Sequence, residues 1–290
     1  MASEIIEFYA IDGVTLNGYI NKGKINTNKI LIEVHGMTSN CFKKRERIIA
    51  NEVEKIGIDT ICFNTRGSDI VKYIKYANGR KVLAGTAYEE IEEAYYDILG
   101  AIEYALKLGY TSIYLQGHSL GATKVVYTYS KMQKENSELL KYIQGIILLS
   151  LVDIPDMINT YSKIETIKYA EDKERKKEML DLMPEDSFIH PISVKTFLKY
   201  AKYNKEINFA PYSKEDDEFE ILNRIDIPLF MRWGDIKELI KRDTKEQVEF
   251  MRKKIKNSKK DIGYIESANH SYSEKENKLA EEICEFLLKK

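Results

Sequence analysis

The sequence predicts an α/β fold, a mostly parallel sheet of about eight strands with helices on both faces. Three observations predict it. Short apolar runs such as "KILIEV" and "QGIILLSL" read as strands buried on both sides. Segments with helical spacing alternate with these runs, which is the rhythm of strand–helix–strand units. The chain has 290 residues and a formal net charge of −1, long enough for one large domain with a sizeable core.

The elements follow in order. "IIEFYAI" and "TLNGYI" flank the turn pair Asp12-Gly13 and read as an antiparallel N-terminal hairpin. "NKILIEVHG" is the first buried strand. Ile48, Ile49, Val53 and Ile56 then carry helical spacing, stopped by Gly57. "DTICFN" is the next strand, closed by Arg66-Gly67, with Arg66 expected to pin loops. Residues 68–84 look irregular and basic. A helix is expected over about 87–108, because Thr86 and Glu89 have the spacing of a capping box. "TSIYLQ" is a strand, "ATKVVYTYSKMQ" a helix and "QGIILLSL" a strand. After Asp153 the rhythm breaks. "MINTYSKIETIKYAEDKERKKEMLDLM" and "SVKTFLKYAKY" are helical, and residues 154–222 are expected to form a helical lid inserted into a core made of residues 1–153 and 223–290. Rhythm resumes with "IPLFMRW", a charged helix, "DIGYIES" and a final helix over about 273–288, with Ser273 and Glu276 again at capping-box spacing.

Composition narrows the function. Balanced charge gives no electrostatic reason for nucleic acid or an acidic membrane. The Lys-rich run from Lys173 to Lys177 is mixed with acids and reads as a solvated helix face. Cys41, Cys62 and Cys284 are widely spaced and form no CxxC pair, so they are expected to be reduced thiols. No basic segment followed by an apolar stretch opens the sequence, and no window approaches the roughly 20 apolar residues of a membrane span. The expected location is the cytoplasm. No metal spacing and no nucleotide loop is visible, and "EVHGMTSNCF" lacks the glycines of a dinucleotide fingerprint. No cofactor is expected, and an oligomer is permitted but not indicated.

The chemistry concentrates at Gly117-His118-Ser119-Leu120-Gly121. This G-x-S-x-G stands between an expected strand and an expected helix, the context of a sharp turn that presents a serine hydroxyl. Positions two before and two after the serine must be small, or side chains would clash. A helix start also places partial positive charge beside a developing oxyanion. The serine needs a base, and the chain has four histidines. His118 lies within the turn and is expected to point away from Ser119. His35 ends the first buried strand. His190 reads as an ordinary packed or exposed side chain. His270 follows the last strand, at the sheet edge where ligands bind in open α/β sheets, and is the expected general base.

Together "HGMTSN", "NTRGS", "GHSLG", "RWGDIKEL" and "ANHSY" resemble the α/β-hydrolase superfamily, in its esterase-like branch with a helical lid. They occur in the family's order and span nearly the whole chain apart from the lid. The resemblance implies a serine hydrolase of carboxylic esters, acting through a Ser-His-acid triad and an acyl-enzyme on a small-molecule acyl or aryl ester. It implies oxyanion donors from the backbone N–H groups of Leu120 and Met37. The acid is expected three residues after Gly234, where this chain has Lys237. Glu238 is the first candidate in its place, followed by Asp235 and Asp153. Thioesterase, peptidase and acyltransferase share the triad. A non-catalytic binding protein on the same scaffold is the alternative of a different class. Tyr161, Ile164, Met179, Leu182, Met183, Phe188, Ile189, Phe197 and Tyr200 are the lid's apolar residues, some of them expected to face the cleft. No arginine cluster is identifiable as a carboxylate or phosphate site.

Overall fold

Two hydrophobic layers sandwich one sheet. A computed structural model describes the chain except Met1, Tyr203, Ser213, Lys237, Leu239, Ile240, Lys241 and Lys290. The expectation at Lys237 therefore lies outside the described residues. Strands β1 (Ala2–Tyr9) and β2 (Thr15–Lys22) form the antiparallel hairpin. Gly13, at φ 87°, makes its turn. Then come β3 (Lys29–Val34), α1 (Lys44–Lys55), β4 (Asp59–Asn64), β5 (Lys72–Lys75) and β6 (Lys81–Ala84). They are followed by α2 (Ala94–Lys107), β7 (Ser112–His118), α3 (Leu120–Lys134) and β8 (Ile143–Leu149). Helices α4 (Ile154–Tyr161), α5 (Ile164–Arg175), α6 (Val194–Ala201) and α7 (Glu220–Asn223) separate β8 from β9 (Leu229–Gly234). The chain closes with α8 (Thr244–Lys254), β10 (Lys260–Ile265) and α9 (Glu276–Leu288).

The eight-stranded sheet has the order β1-β2-β4-β3-β7-β8-β9-β10. From β4 to β10 every neighbouring pair is parallel. The apolar runs explain why. Ile30, Ile32 and Val34 of β3 pack into one cluster with Ile98 and Ile102 of α2 and Val125 of α3. The alternate residue Leu31 joins the opposite cluster with Ile49 and Val53 of α1 and Leu279 and Ile283 of α9. A period-two backbone with both faces apolar needs a helix layer on each side.

Four local expectations are corrected. Residues 68–84 hold the β5–β6 hairpin, a small separate sheet. The helix expected from 87 starts at Ala94, after a single 3₁₀ turn over Ile91–Glu93. Thr86 does not cap it. Its hydroxyl donates to the Gly67 carbonyl at 2.8 Å and accepts from the Thr38 N–H at 2.8 Å. Glu89 is drawn into a buried ion pair with Lys124 at 2.6 Å, and this tertiary pairing overrides the capping pattern. The last helix starts at Glu276 with no side-chain cap, and Glu276 pairs with Lys44 at 3.1 Å. The segment opening "MINTYSKIETIKYAEDK" is broken at Ser162, whose extended backbone and hydroxyl bond to the Ser187 carbonyl separate α4 from α5. Arg66 is buried among Asp97 (2.8 Å), Asp12 (2.9 Å) and Glu93 (3.5 Å).

Candidate active site

The C-terminal ends of β3, β7, β9 and β10 meet at one edge of the sheet, and each contributes a loop to the site. β7 ends in the Gly117–Gly121 turn. Ser119 has φ 55° and ψ −124°, a strained conformation for a residue with a Cβ. Neighbouring backbone enforces it. A Cβ on Gly117 would lie 2.3 Å from the Gly121 carbonyl oxygen, and one on Gly121 would lie 2.2 Å from that of Val34. The Ser119 N–H donates to the Leu149 carbonyl at 2.8 Å, which ties the turn to β8.

Two long-range bonds meet at His270. Its Nδ1 lies 2.6 Å from Glu238 Oε2, and its Nε2 lies 2.9 Å from Ser119 Oγ. Burial alone would raise the Glu238 carboxyl, but the hydrogen bond and charge of His270, then the Ser150 hydroxyl and the Gly234 N–H, hold it below the usual carboxylate range. An ionised carboxylate only accepts, so Nδ1 carries the proton and Nε2 is left to accept from the Ser119 hydroxyl. Ser119, His270 and Glu238 are thus brought together from three loops. Asp235, next to Gly234, has a buried oxygen with no hydrogen-bond partner among the described residues. Asp153 accepts from the Asp156 N–H at 3.0 Å and caps α4.

Sequence reasoning missed the support around Glu238. Ser150 follows β8 at φ 48°. Its hydroxyl donates to Glu238 Oε1, to the Tyr272 hydroxyl (2.9 Å) or to the His270 carbonyl (3.3 Å). Tyr272 in turn donates to the Arg232 carbonyl at 2.7 Å. The Gly234 N–H donates to Glu238 Oε1 at 2.8 Å. No local pattern in "LSLVD" announces Ser150, because its partners lie far away in sequence. His118 does not idle in solvent. Its Nε2 lies 2.7 Å from the His270 carbonyl, which only accepts, so that nitrogen is protonated. Burial, with Arg45 nearby, pushes His118 well below the usual histidine range, so the ring is neutral.

Gly36 brings the loop after β3 against the turn: a Cβ there would stand 2.9 Å from the His118 carbonyl oxygen and 3.1 Å from Ser119 Cβ. Met37 follows. Among the described residues, neither its N–H nor that of Leu120 has an acceptor. A cleft of about 370 Å³ opens beside Ser119 and His270, lined by Gly36 and Met37, by the start of α1, and by Ser271, Ser273 and Glu276. Among the described residues, none from 154–222 lines it. Of the apolar residues there, Met183, Phe188, Phe197 and Tyr200 are buried, whereas Ile164, Leu182 and Ile189 are exposed. His190 bonds the Pro191 carbonyl at 2.8 Å. Among the described residues no group of His, Cys, Asp and Glu could hold a metal ion, and no helix is long and apolar enough to cross a membrane.

No family model matches the chain, and no curated protein matches it. Solved structures do. Est1E from Butyrivibrio proteoclasticus, determined with ferulic acid bound, is 20% identical with a TM-score of 0.68, over 97% of each chain. The alpha/beta hydrolase GrgF from Penicillium sp. sh18 is 14% identical with a TM-score of 0.67, over 99% of this chain and 98% of that one. The Pyrococcus furiosus esterase Pf2001 is 18% identical with a TM-score of 0.60, over 99% and 90%. The strand order, the parallel sheet and these likenesses agree: the chain has the α/β-hydrolase fold.

Proposed function

We propose that the protein is a serine hydrolase of carboxylic esters. The observation that carries this reading is the unbroken relay Glu238–His270–Ser119, with contacts of 2.6 Å and 2.9 Å. Ser119 Oγ attacks the ester carbonyl carbon while His270 Nε2 takes its proton. The carbonyl oxygen becomes an oxyanion held by the N–H groups of Met37 and Leu120, reinforced by the N-terminus of α3. His270 returns the proton to the leaving oxygen, the alcohol departs and an acyl-Ser119 remains. Water then attacks this ester, again losing its proton to His270, and the acid is released with Ser119 restored. Glu238 holds the imidazole in the tautomer that accepts from serine and stabilises the imidazolium between steps.

Residues 154–222 act in this reading as a helical lid on a core of residues 1–153 and 223–290. Support comes from their place, inserted between β8 and β9 beside the strand ends, and from their helical content. A thioester or amide would react at the same groups, and the ester is preferred because solved structures of similar fold include esterases.

The test is hydrolysis of 4-nitrophenyl esters of rising acyl length, with methyl ferulate added because Est1E holds ferulic acid. A Ser119→Ala control and labelling by a fluorophosphonate accompany it. The expected result is turnover and labelling that both vanish with Ser119→Ala. An unlabelled wild-type protein with no turnover above that control would instead make the chain a binding protein on this scaffold.

A further inference from the structure

The cleft at Ser119 is unlike an apolar acyl pocket. Apart from Gly36 and Met37, every described residue lining it has a polar or charged side chain. One wall is the start of α1, where Lys43, Lys44 and Arg45 stand in a row. Lys44 is matched by Glu276 across the cleft at 3.1 Å. Arg45, 6% exposed, is paired with Glu46 and donates from Nη1 to the Ser271 carbonyl at 3.4 Å, and among the described residues its Nε has no acceptor. Lys43 is exposed, and among the described residues its ammonium has no partner. Even counting Glu46 behind Arg45, cations exceed carboxylates in this wall by one. The same wall carries a helix end with no side-chain cap, and the N–H groups of Lys44, Arg45 and Glu46 have no acceptor among the described residues. Positive helix-end potential therefore adds to the side-chain charge.

The position of this wall says which half of a substrate it meets. His270 delivers a proton to the leaving oxygen, so the leaving group lies against His270. His270, its own loop at Ser271 and Ser273, and the Lys43–Arg45 wall line the same cleft, and the Arg45 bond to the Ser271 carbonyl joins that loop to the wall. Resting on the hydrolase reading above, we infer that the leaving group is an alcohol bearing an anionic group, a carboxylate or a phosphate, held by Lys43 and the first N–H groups of α1. The anion completes the set of acceptors this wall lacks, and the hydroxyls of Ser271 and Ser273 offer further donors to it.

The experiment compares two esters with one acyl group, 4-nitrophenyl acetate and 5-acetoxy-2-nitrobenzoate, the second releasing a nitrophenolate that carries a carboxylate. The wild-type protein is expected to prefer the carboxylated ester by about tenfold in kcat/KM at low ionic strength, a preference that shrinks as salt screens it. Lys43→Glu is expected to abolish or invert the ratio. Calorimetric binding of the released phenols, 5-hydroxy-2-nitrobenzoate and 4-nitrophenol, to Ser119→Ala reads the site without turnover. Equal binding of the two phenols, or carboxylate binding and an ester ratio that Lys43→Glu leaves unchanged, overturns the inference. Carboxylate-selective binding that depends on Lys43, with no Ser119-dependent cleavage of either ester, keeps the anion site and removes the hydrolase reading instead. A free anion such as inorganic phosphate or acetate that competes for this binding identifies the charged group, rather than the aromatic ring, as what is held.

Discussion

The turn at Ser119 and the loop at Glu238 face each other across His270, yet they are built on different physics. The turn is a matter of backbone. Its two glycines are demanded by carbonyl oxygens 2.2 to 2.3 Å from where a Cβ would stand, and its neighbours lie in β3 and in the turn itself. The acid loop is a matter of side-chain reach. Glu238 is held by Ser150 after β8, by the Gly234 N–H after β9 and by His270 after β10. A backbone device tolerates almost no substitution and therefore reads as a motif. A reach device has many sequence solutions, since only the position of the carboxylate matters.

The largest expected effect breaks the reach device at its end. Glu238→Ala is expected to lower kcat on a nitrophenyl ester by about four orders of magnitude, as loss of the orienting acid does elsewhere. Asp235→Ala should change it by about twofold at most, the scale of a substitution outside any mechanism class. Steady-state kinetics on both variants decides the matter, and a reversed ranking would assign the acid to Asp235.

Next comes the backbone device. Gly121→Ala forces a methyl group against the Val34 carbonyl, which has no soft side chain to yield. A loss of about 1–3 kcal/mol or more in unfolding free energy is expected, measured by denaturant titration. An unfolding midpoint equal to that of the parent would mean the turn has slack the geometry denies.

Ser150→Ala sharpens the comparison from the other side. Removing one hydroxyl that donates to the charged Glu238 should cost about tenfold in kcat with KM unchanged. A drop confined to KM, or none, would make Ser150 a packing residue rather than a positioning one.

The smallest effect per step is set by protonation. Burial pushes His35, whose Nε2 accepts from the Thr65 N–H at 3.1 Å, down to about 3. The unfolded chain takes up that proton near the ordinary histidine value, about 6.5, while the folded chain refuses it. Stability is therefore full above about pH 6.5 and declines as pH falls toward 3, by up to about 1.4 kcal/mol per pH unit from this group. Glu238, held below its usual range, adds a loss of the same sign as pH falls through its own titration. Burial raises the carboxyls of Glu33, Glu89 and Asp97, which act in the opposite sense, and lowers His118, which acts in the same one. The reading is therefore the difference: urea midpoints of the parent should fall more steeply than those of His35→Gln as pH drops below about 6.5. Parent and His35→Gln profiles that run parallel over this range would show that His35 charges freely in the folded state.

Much of the fold was legible because its signals are local. The hairpin, the six parallel strands and the helices flanking Ser119 follow from apolar runs and turn residues. What failed was short-range capping logic. Thr86 and Glu89 have the spacing of a helix start, but a carbonyl at Gly67 and the ammonium of Lys124 claim them. Ser162 breaks a helix that composition favours because the Ser187 carbonyl is at hand. The basic wall of the cleft escaped notice for a related reason. In "CFKKRERII" the cations look like any solvated helix start, and nothing local says that His270 and Ser119 stand opposite.

The sequence by itself determined the elements, their order and the serine turn, since each depends on residues adjacent along the chain and on period-two or period-3.6 burial. It singled out the loop histidine after the last strand, His270, whose Nε2 lies 2.9 Å from Ser119 Oγ. Only the tertiary structure decided which carboxylate lies at His270, what holds it, and which charges face the cleft. Those are meetings of loops separated by tens to hundreds of residues, and their distances are set by how the strands are ordered in the sheet rather than by any neighbour in sequence.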